Sequence, residues 1–371
     1  VLRSLALTNF KTFDDLWLPF GGLTLLSGLN GSGKSTVLQA LGLLRQSFDT
    51  GFIHTGDLGL NGSLVEIGTG RDVLYQDFGA PMIDIGLAVD DQGAEETLHW
   101  RMGAPTDADV LSCEEWPKAV SPDHSSLFRP GFQFLRADRI TPSVTFPKSQ
   151  HAVRHDRFLG PKGEYTAHFL LEFGDDPATK VLVPHPAAGK ATSLIAHVNF
   201  WIQDFSPGVR VEPRSVPMTD LVRIEYAYRG KGEAYGEPLR PTNVGFGLTH
   251  ALPVVTACLS ATAGSLLIVE NPEAQLHPKG QAALGRLLAL TAAAGAQVIV
   301  ETHSDHVLNG IRLAAKEGLL KPADAQLHFF SRRPGAGSSF ESPQLGENGR
   351  LSFWPTDFFD QWEQSLDKLL S

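Results

Sequence analysis

Residues Gly28-Leu29-Asn30-Gly31-Ser32-Gly33-Lys34-Ser35-Thr36 constrain this chain more than any other stretch, because they fit the pattern G-x-x-x-x-G-K-[ST] in the right setting. Gly22-Leu23-Thr24-Leu25-Leu26-Ser27 precedes them, a short apolar run of the kind buried in a parallel sheet. Val37-Leu38-Gln39-Ala40-Leu41-Gly42-Leu43-Leu44 follows, with the apolar spacing of a helix. Strand, glycine-rich turn and helix together form an anion cradle, since glycine lets backbone N–H groups approach phosphates and the helix N-terminus favours negative charge. The expected ATP contacts are Asn30, Gly31, Ser32, Gly33, Lys34, Ser35 and Thr36. Lys34 is expected to reach the β- and γ-phosphates and the Ser35 hydroxyl to ligate Mg²⁺.

Two later strands complete the pattern. Leu266-Leu267-Ile268-Val269-Glu270-Asn271-Pro272-Glu273 reads as a buried strand ending in acids, and Pro278 suits the first position of the helix after it. Glu270 at the strand's C-terminal end is expected to join Ser35 on Mg²⁺, a hard cation that takes oxygen ligands. An acid merely capping a strand–helix loop is the ordinary alternative. Val298-Ile299-Val300-Glu301-Thr302-His303-Ser304 reads as the next buried strand, and a neutral imidazole at His303 could hydrogen-bond the γ-phosphate or the attacking water.

These residues resemble an ABC-type AAA ATPase head of the OLD/RecF-like group, which includes recombination and chromosome-maintenance ATPases and the overcoming-lysogenisation-defect (OLD) proteins. Leu7–Phe13 and Asn30–Thr36 resemble the amino-terminal half of such a head. Glu270-Asn271-Pro272-Glu273-Ala274-Gln275-Leu276-His277-Pro278 is similar to the OLD-like Walker B and D-loop region, and Glu301–Ser304 to its switch-histidine segment. Thr242–Pro253, with its N-V-G-F-G, and Phe353–Asp360 resemble a small bacterial subgroup without a Toprim nuclease domain. The resemblance covers residues 1–48 and 240–360. It implies a head-to-tail homodimer with ATP between protomers, in which Asn243, Gly245 and Gly247 reach the partner's γ-phosphate. It also turns Arg136–Arg139 toward the nucleotide. Without the resemblance, Gly245 and Gly247 read equally well as a loop before a buried helix. No L-S-G-G-Q occurs, which counts against a transporter ATPase.

Asn271 departs from the ABC pattern, where a glutamate after the Walker B acid usually handles the water's proton. An amide can position water but cannot accept its proton. Catalysis is therefore assigned to Glu273 and His303, with Asn271 as an orienting group, and slow or partner-gated hydrolysis is expected. The competing expectation is an ATP-gated dimerisation scaffold for a protein partner, with little intrinsic turnover. No guanine-reading N-K-x-D occurs.

The expected fold is α/β, a P-loop NTPase of ABC-head type, with an antiparallel β lobe and a mixed α/β insertion. Residues 1–75 and 240–371 are assigned to the ATPase core and 76–239 to the insertion. Within the insertion, prolines break any long element between Ala104 and Gln150, helical patterns fall near Tyr165–Phe173 and Ser193–Phe205, and no heptads persist. Phe358–Leu370 reads as a closing amphipathic helix. No D-x-D follows His303, so any nuclease effector is expected to act in trans.

A net charge of −10 disfavours a protein that coats nucleic acid non-specifically. Seven basic residues against two acids between Arg129 and Lys162 nonetheless form a stripe, with His151 and His155 inside it. Arg129, Arg136, Arg139, Arg154 and Arg157 are the candidate nucleic-acid contacts; a solvated basic face or a protein-binding face is the slightly favoured alternative. Two cysteines exclude a disulfide framework. No leader pattern and no apolar run of membrane-spanning length occur, so a cytoplasmic protein without membrane contact is expected.

Overall fold

The computed structural model describes residues 1–76, 81–91, 93–230, 234–332, 337–355 and 369. The amino-terminal part carries β1 (Leu2–Phe10), β2 (Phe13–Pro19), β3 (Leu23–Gly28), α1 (Lys34–Asp49), α2 (Phe52–Thr55), β4 (Asp57–Gly59), α3 (Gly70–Val73), β5 (Met82–Asp91), β6 (Ala94–Gly103) and β7 (Val110–Glu115). The middle carries β8 (Gln133–Leu135), β9 (Phe146–Pro147), α4 (Thr166–Phe173), α5 (Leu194–Phe205), β10 (Val209–Ser215) and β11 (Leu221–Tyr228). Then come α6 (Phe246–Ser260), β12 (Leu266–Glu270), α7 (Pro278–Ala293), β13 (Gln297–Glu301), α8 (Asp305–Lys316), β14 (Ala325–Arg332) and β15 (Ser338–Glu341).

Two compact units result. The first comprises residues 1–129, 323–345 and 351–371; the second comprises 130–322 and 346–350. In the first unit, an antiparallel lobe has the strand order β2-β1-β5-β6-β7-β4. Its strands alternate because one face packs and the other is wet, as in β2, where Phe13, Leu16 and Leu18 are buried and Trp17 is exposed. The same unit holds β3 paired in parallel with β14, which pairs antiparallel with β15. All six residues of β3 are buried, Thr24 and Ser27 among them, as in a parallel strand covered on both faces.

In the second unit, β13, β12 and β8 form a parallel run, and β10-β11-β9 form a small antiparallel sheet. Leu266, Leu267, Ile268 and Val269 of β12 are fully buried. α7 begins at Pro278 with the His277 side chain accepting the Lys279 N–H, and α8 begins with the Ser304 hydroxyl accepting from His306 and Val307. Between Ala104 and Gln150 the elements are short, as the prolines dictate. One of them, β8, is nevertheless a core strand: Gln133, Phe134 and Leu135 are buried and pair in register with Leu267–Val269. Three residues are too few to carry a periodicity that sequence reading can detect. The helix expected over Phe358–Leu370 lies outside the described residues apart from Leu369.

Candidate functional site

In the first unit, β3 ends at Gly28 and α1 begins at Lys34, with Gly33 as its N-cap at φ 106°. Gly28 has φ 134°, and a Cβ there would lie 2.0 Å from the Phe330 carbonyl oxygen of β14, so only glycine lets the strand turn this close to its neighbour. Gly31 (φ 72°) has nothing among the described residues within 4 Å of a Cβ position, and Leu29, Asn30 and Ser35 are exposed. The outer rim of the turn is thus open, with helix N–H groups behind it, which fits a phosphate chain. Lys34 is buried; its Nζ donates to the carbonyls of Gly28 (3.0 Å) and Leu29 (2.8 Å). The Ser32 hydroxyl donates to the Leu29 carbonyl, and the Thr36 hydroxyl lies 3.5 Å from that of Thr12. Thr12 and Phe13, whose ring edge lies where a Gly33 Cβ would go, were not among the expected site residues. Only the fold brings the β1–β2 turn against the loop.

In the second unit, Glu270 closes β12 half-buried, and one carboxylate oxygen accepts the Ala137 N–H at 3.0 Å. Burial pushes its carboxyl above the usual range, against the pull of Ala137 and of the Arg136 charge. Its other oxygen has no hydrogen-bond partner among the described residues, so the donor set suits a hard cation. Asn271 follows in the left-handed region at φ 41°, its N–H bonded to the Glu301 carbonyl at 2.8 Å. This conformation turns the loop so that Glu273 meets the end of β13. One Glu273 oxygen accepts the Thr302 hydroxyl at 2.7 Å; the other accepts the His303 N–H at 2.9 Å and the Asn271 amide at 3.4 Å. Asn271, Glu273 and His303 are therefore brought together, with Thr302 as a further member. The His303 side chain is exposed.

Arg139, expected on a nucleic-acid face, is instead 3% exposed beneath this loop. Its guanidinium donates to the carbonyls of Glu270 (2.7 Å), Arg136 (3.2 Å) and Asn271. Burial pulls its pKa down to about 10, while Glu273, Glu270 and Asp138 hold the charge on, so it stays cationic at neutral pH. It cannot touch a phosphate backbone. The remaining stripe residues also have internal partners. Arg129 donates to the Pro122 and Asp123 carbonyls, Arg136 to Asp138, and Arg154 to Glu172, while Arg157 lies 3.8 Å over the Phe173 ring.

Asn243, Gly245 and Phe246 are exposed at the start of α6, and Phe246 is 48% accessible. Gly247 serves close packing, since a Cβ would meet the Gln275 carbonyl at 2.5 Å, whereas Gly245 faces open space. One turn on, both ring nitrogens of His250 lack hydrogen-bond partners among the described residues, and burial together with the Arg139 charge lowers its pKa. Cys113 and Cys258 are buried thiols pushed up to about 12 by burial, so neither supplies a thiolate. No helix among the described residues is long and apolar enough to cross a membrane.

Three family models match segments of the chain. Residues 131–309 match a family model described as "AAA domain, putative AbiEii toxin, Type IV TA system", and residues 4–46 match one described as "AAA domain". Residues 320–369 match one described as "Protein of unknown function (DUF3696)". No curated protein matches the chain. Among solved structures it is similar to an Smc head bound to the C-winged helix domain of ScpA, at 14% identity and TM-score 0.55, covering 93% of this chain and 98% of that one. It is also similar to an Smc head with an extended coiled coil, bound to the C-terminal domain of ScpA derived from Pyrococcus furiosus. There the identity is 13% and the TM-score 0.55, covering 100% of this chain and 99% of that one. At such identities the likeness is one of fold. The chain has the α/β P-loop NTPase fold of SMC and ABC heads, and its segments 4–46 and 131–309 are similar to AAA domains.

Proposed function

We propose that this chain binds ATP with Mg²⁺ and hydrolyses it slowly, as a cytoplasmic head-to-tail homodimer whose turnover a partner controls. The open-rimmed glycine turn at Gly28–Thr36, backed by the N-terminus of α1, is the observation that carries this reading. Asn30–Thr36 wrap the phosphates, and Lys34 exchanges its two carbonyl bonds for β- and γ-phosphate oxygens. Ser35 and Glu270 are assigned to Mg²⁺ by motif; bound there, the cation would offset negative charge on the phosphates. Asn271 orients water through its amide, and Glu273 with His303 manages the proton. Asn243, Gly245 and Gly247 engage the nucleotide of the other protomer, a role that the exposure of this segment supports.

Slow turnover follows from two features. Asn271 has no carboxylate, and both Glu273 oxygens are already hydrogen-bond acceptors within the protein. The same features support the second reading, an ATP-gated scaffold with little turnover of its own. The OLD-like motifs and the AbiEii wording of the matched family model support a role in phage defence or nucleic-acid maintenance, with the effector, a nuclease for example, supplied in trans. The Smc heads bound to ScpA domains support a separate protein partner. The internal partners of the stripe arginines make nucleic acid a weaker candidate than protein.

ATP binding and turnover by the wild type and Lys34→Ala, with and without duplex DNA, test the proposal. Lys34→Ala should lower turnover at least a hundredfold, on the order of a lost phosphate-stabilising group. Absence of Lys34-dependent ATP binding removes the reading altogether. Salt-sensitive stimulation by DNA selects nucleic-acid work; indifference to DNA selects the scaffold.

A further inference from the structure

Within the second unit, the segment between β9 and α4 contains a single π-turn, His151–His155, closed by the Asp156 N–H donating to the His151 carbonyl at 3.1 Å. Neighbouring backbone holds this turn firmly. Val153 is fully buried, and its N–H donates to the Ser149 carbonyl at 3.1 Å. The Phe158 N–H donates to Ala152 at 2.8 Å, and the Gly131 N–H donates to the Asp156 carbonyl at 2.9 Å. On this fixed base the His151 and His155 side chains stand outward, 78% and 74% exposed, with ring centroids 5.0 Å apart.

The Asp156 carboxylate lies between the two imidazoles. One oxygen is 2.7 Å from His155 Nδ1, and the other is 3.7 Å from His151 Nε2. One donor atom from each of the three residues lies within 4.8 Å of the others. A zinc ion with bonds of about 2.0–2.2 Å needs its ligands roughly 3.4 Å apart, a closure that small rotations of two exposed rings provide. The local positive charge does not oppose a cation as strongly as the sequence suggests. Arg154 is paired with Glu172 at 2.6 Å, and Arg157 is turned onto Phe173. π-turns are rare and recur at functional sites, and here the wider turn brings residues 151, 155 and 156 to one face.

We propose that His151, His155 and Asp156 form a binding site for one divalent transition metal, Zn²⁺ or a neighbouring late first-row ion. Two imidazoles and one carboxylate suit such ions and disfavour Mg²⁺, which prefers oxygen ligands and retains its water. Three protein ligands leave a coordination position for water or an exogenous donor. The same segment is tied to β8, because the Gln133 side chain bonds the Arg157 carbonyl and the Leu159 N–H, and β8 pairs with β12. The metal therefore braces a turn tied to β8, the neighbour of the strand that carries Glu270.

Titration of the full chain with Zn²⁺, in excess Mg²⁺ and without nucleotide, tests this, followed by Co²⁺ as a spectroscopic probe. One Zn²⁺ per chain and a tetrahedral Co²⁺ visible spectrum are expected. His151→Ala, His155→Ala and Asp156→Asn should each weaken binding at least about tenfold. Circular dichroism should show all three variants folded, since both imidazoles are exposed; Asp156→Asn, which keeps the side chain's size, guards against misfolding. Zn²⁺ should raise the thermal midpoint of the wild type and not of the variants. Absence of saturable binding, or binding of equal affinity in all three variants, overturns the proposal.

Discussion

At Gly28 a single hydrogen atom decides whether β3 can lie against β14. The position combines φ 134° with a Cβ site 2.0 Å from a backbone oxygen, and backbone cannot yield as a flexible side chain can. Gly28→Ala should therefore cost at least about 2 kcal/mol of stability, read by urea denaturation. Glu273 is a different kind of residue, important for what it accepts. Thr302 and the His303 backbone each donate to one of its oxygens, so the carboxylate fixes the loop after β12 to the end of β13. Glu273→Gln keeps the shape but places an amide N–H₂ against one of those donors and removes the proton acceptor. ATP turnover should fall about a hundredfold with ATP affinity retained; unchanged turnover would take Glu273 out of proton handling.

At the scale of the element, β14 illustrates a buried histidine held neutral. His328 is 1% exposed, with Nε2 2.9 Å from the Pro19 carbonyl and Nδ1 2.7 Å from the Ser342 hydroxyl. A carbonyl can only accept, so Nε2 carries the proton and Nδ1 accepts from the serine. Burial pulls the pKa from 6.5 to about 4. In the unfolded chain the ring binds its proton at the higher pH, so between these values the unfolded state holds more protons and stability rises with pH. The His328 contribution is complete above about pH 6.5 and is lost as pH falls toward 4, amounting to about 3 kcal/mol over that window. His328→Gln should flatten the pH dependence of unfolding over this range, measured by thermal melts at matched ionic strength.

Other elements show where sequence reading reaches its limit. β3, β12 and β13 were legible because each is a short, mainly apolar segment, with a glycine-rich turn after β3 and a glutamate at the end of β12 and of β13, a local property of five or six residues. β8 was not, because Gln133-Phe134-Leu135 acquires its meaning only from pairing with residues more than a hundred positions away. The partners of the basic stripe were hidden for a related reason. Charge is counted along the chain, but Arg154 finds Glu172 and Arg139 finds the β12 carbonyls only in the fold.

For the molecule as a whole, the proposed dimer makes Gly245 the informative position. A Cβ there meets nothing within 4 Å among the described residues and the position is exposed, so Gly245→Arg should fold with an unchanged thermal midpoint. If this segment reaches the partner's nucleotide, the same change should abolish ATP-dependent dimerisation in sedimentation velocity and lower turnover at least tenfold. Normal dimerisation of the variant would remove the trans role. Gly247 cannot serve for this test, since the Gln275 carbonyl at 2.5 Å makes any substitution there a packing defect as well.

The sequence by itself determined the glycine-rich loop after β3, the carboxylate at Glu270 and the histidine at His303. Each depends on a few contiguous residues whose backbone preferences and strand-end positions are set locally. Tertiary structure alone decided what surrounds them: Arg139 under the carbonyls of Glu270 and Asn271, Glu273 joined to Thr302, and two exposed imidazoles facing a carboxylate across a π-turn. These arrangements rest on hydrogen bonds and burial, which are short-ranged in space. Where they link residues distant in the chain, as from Arg139 to Glu270 and from Glu273 to Thr302, no pattern along the chain records which pairs will meet.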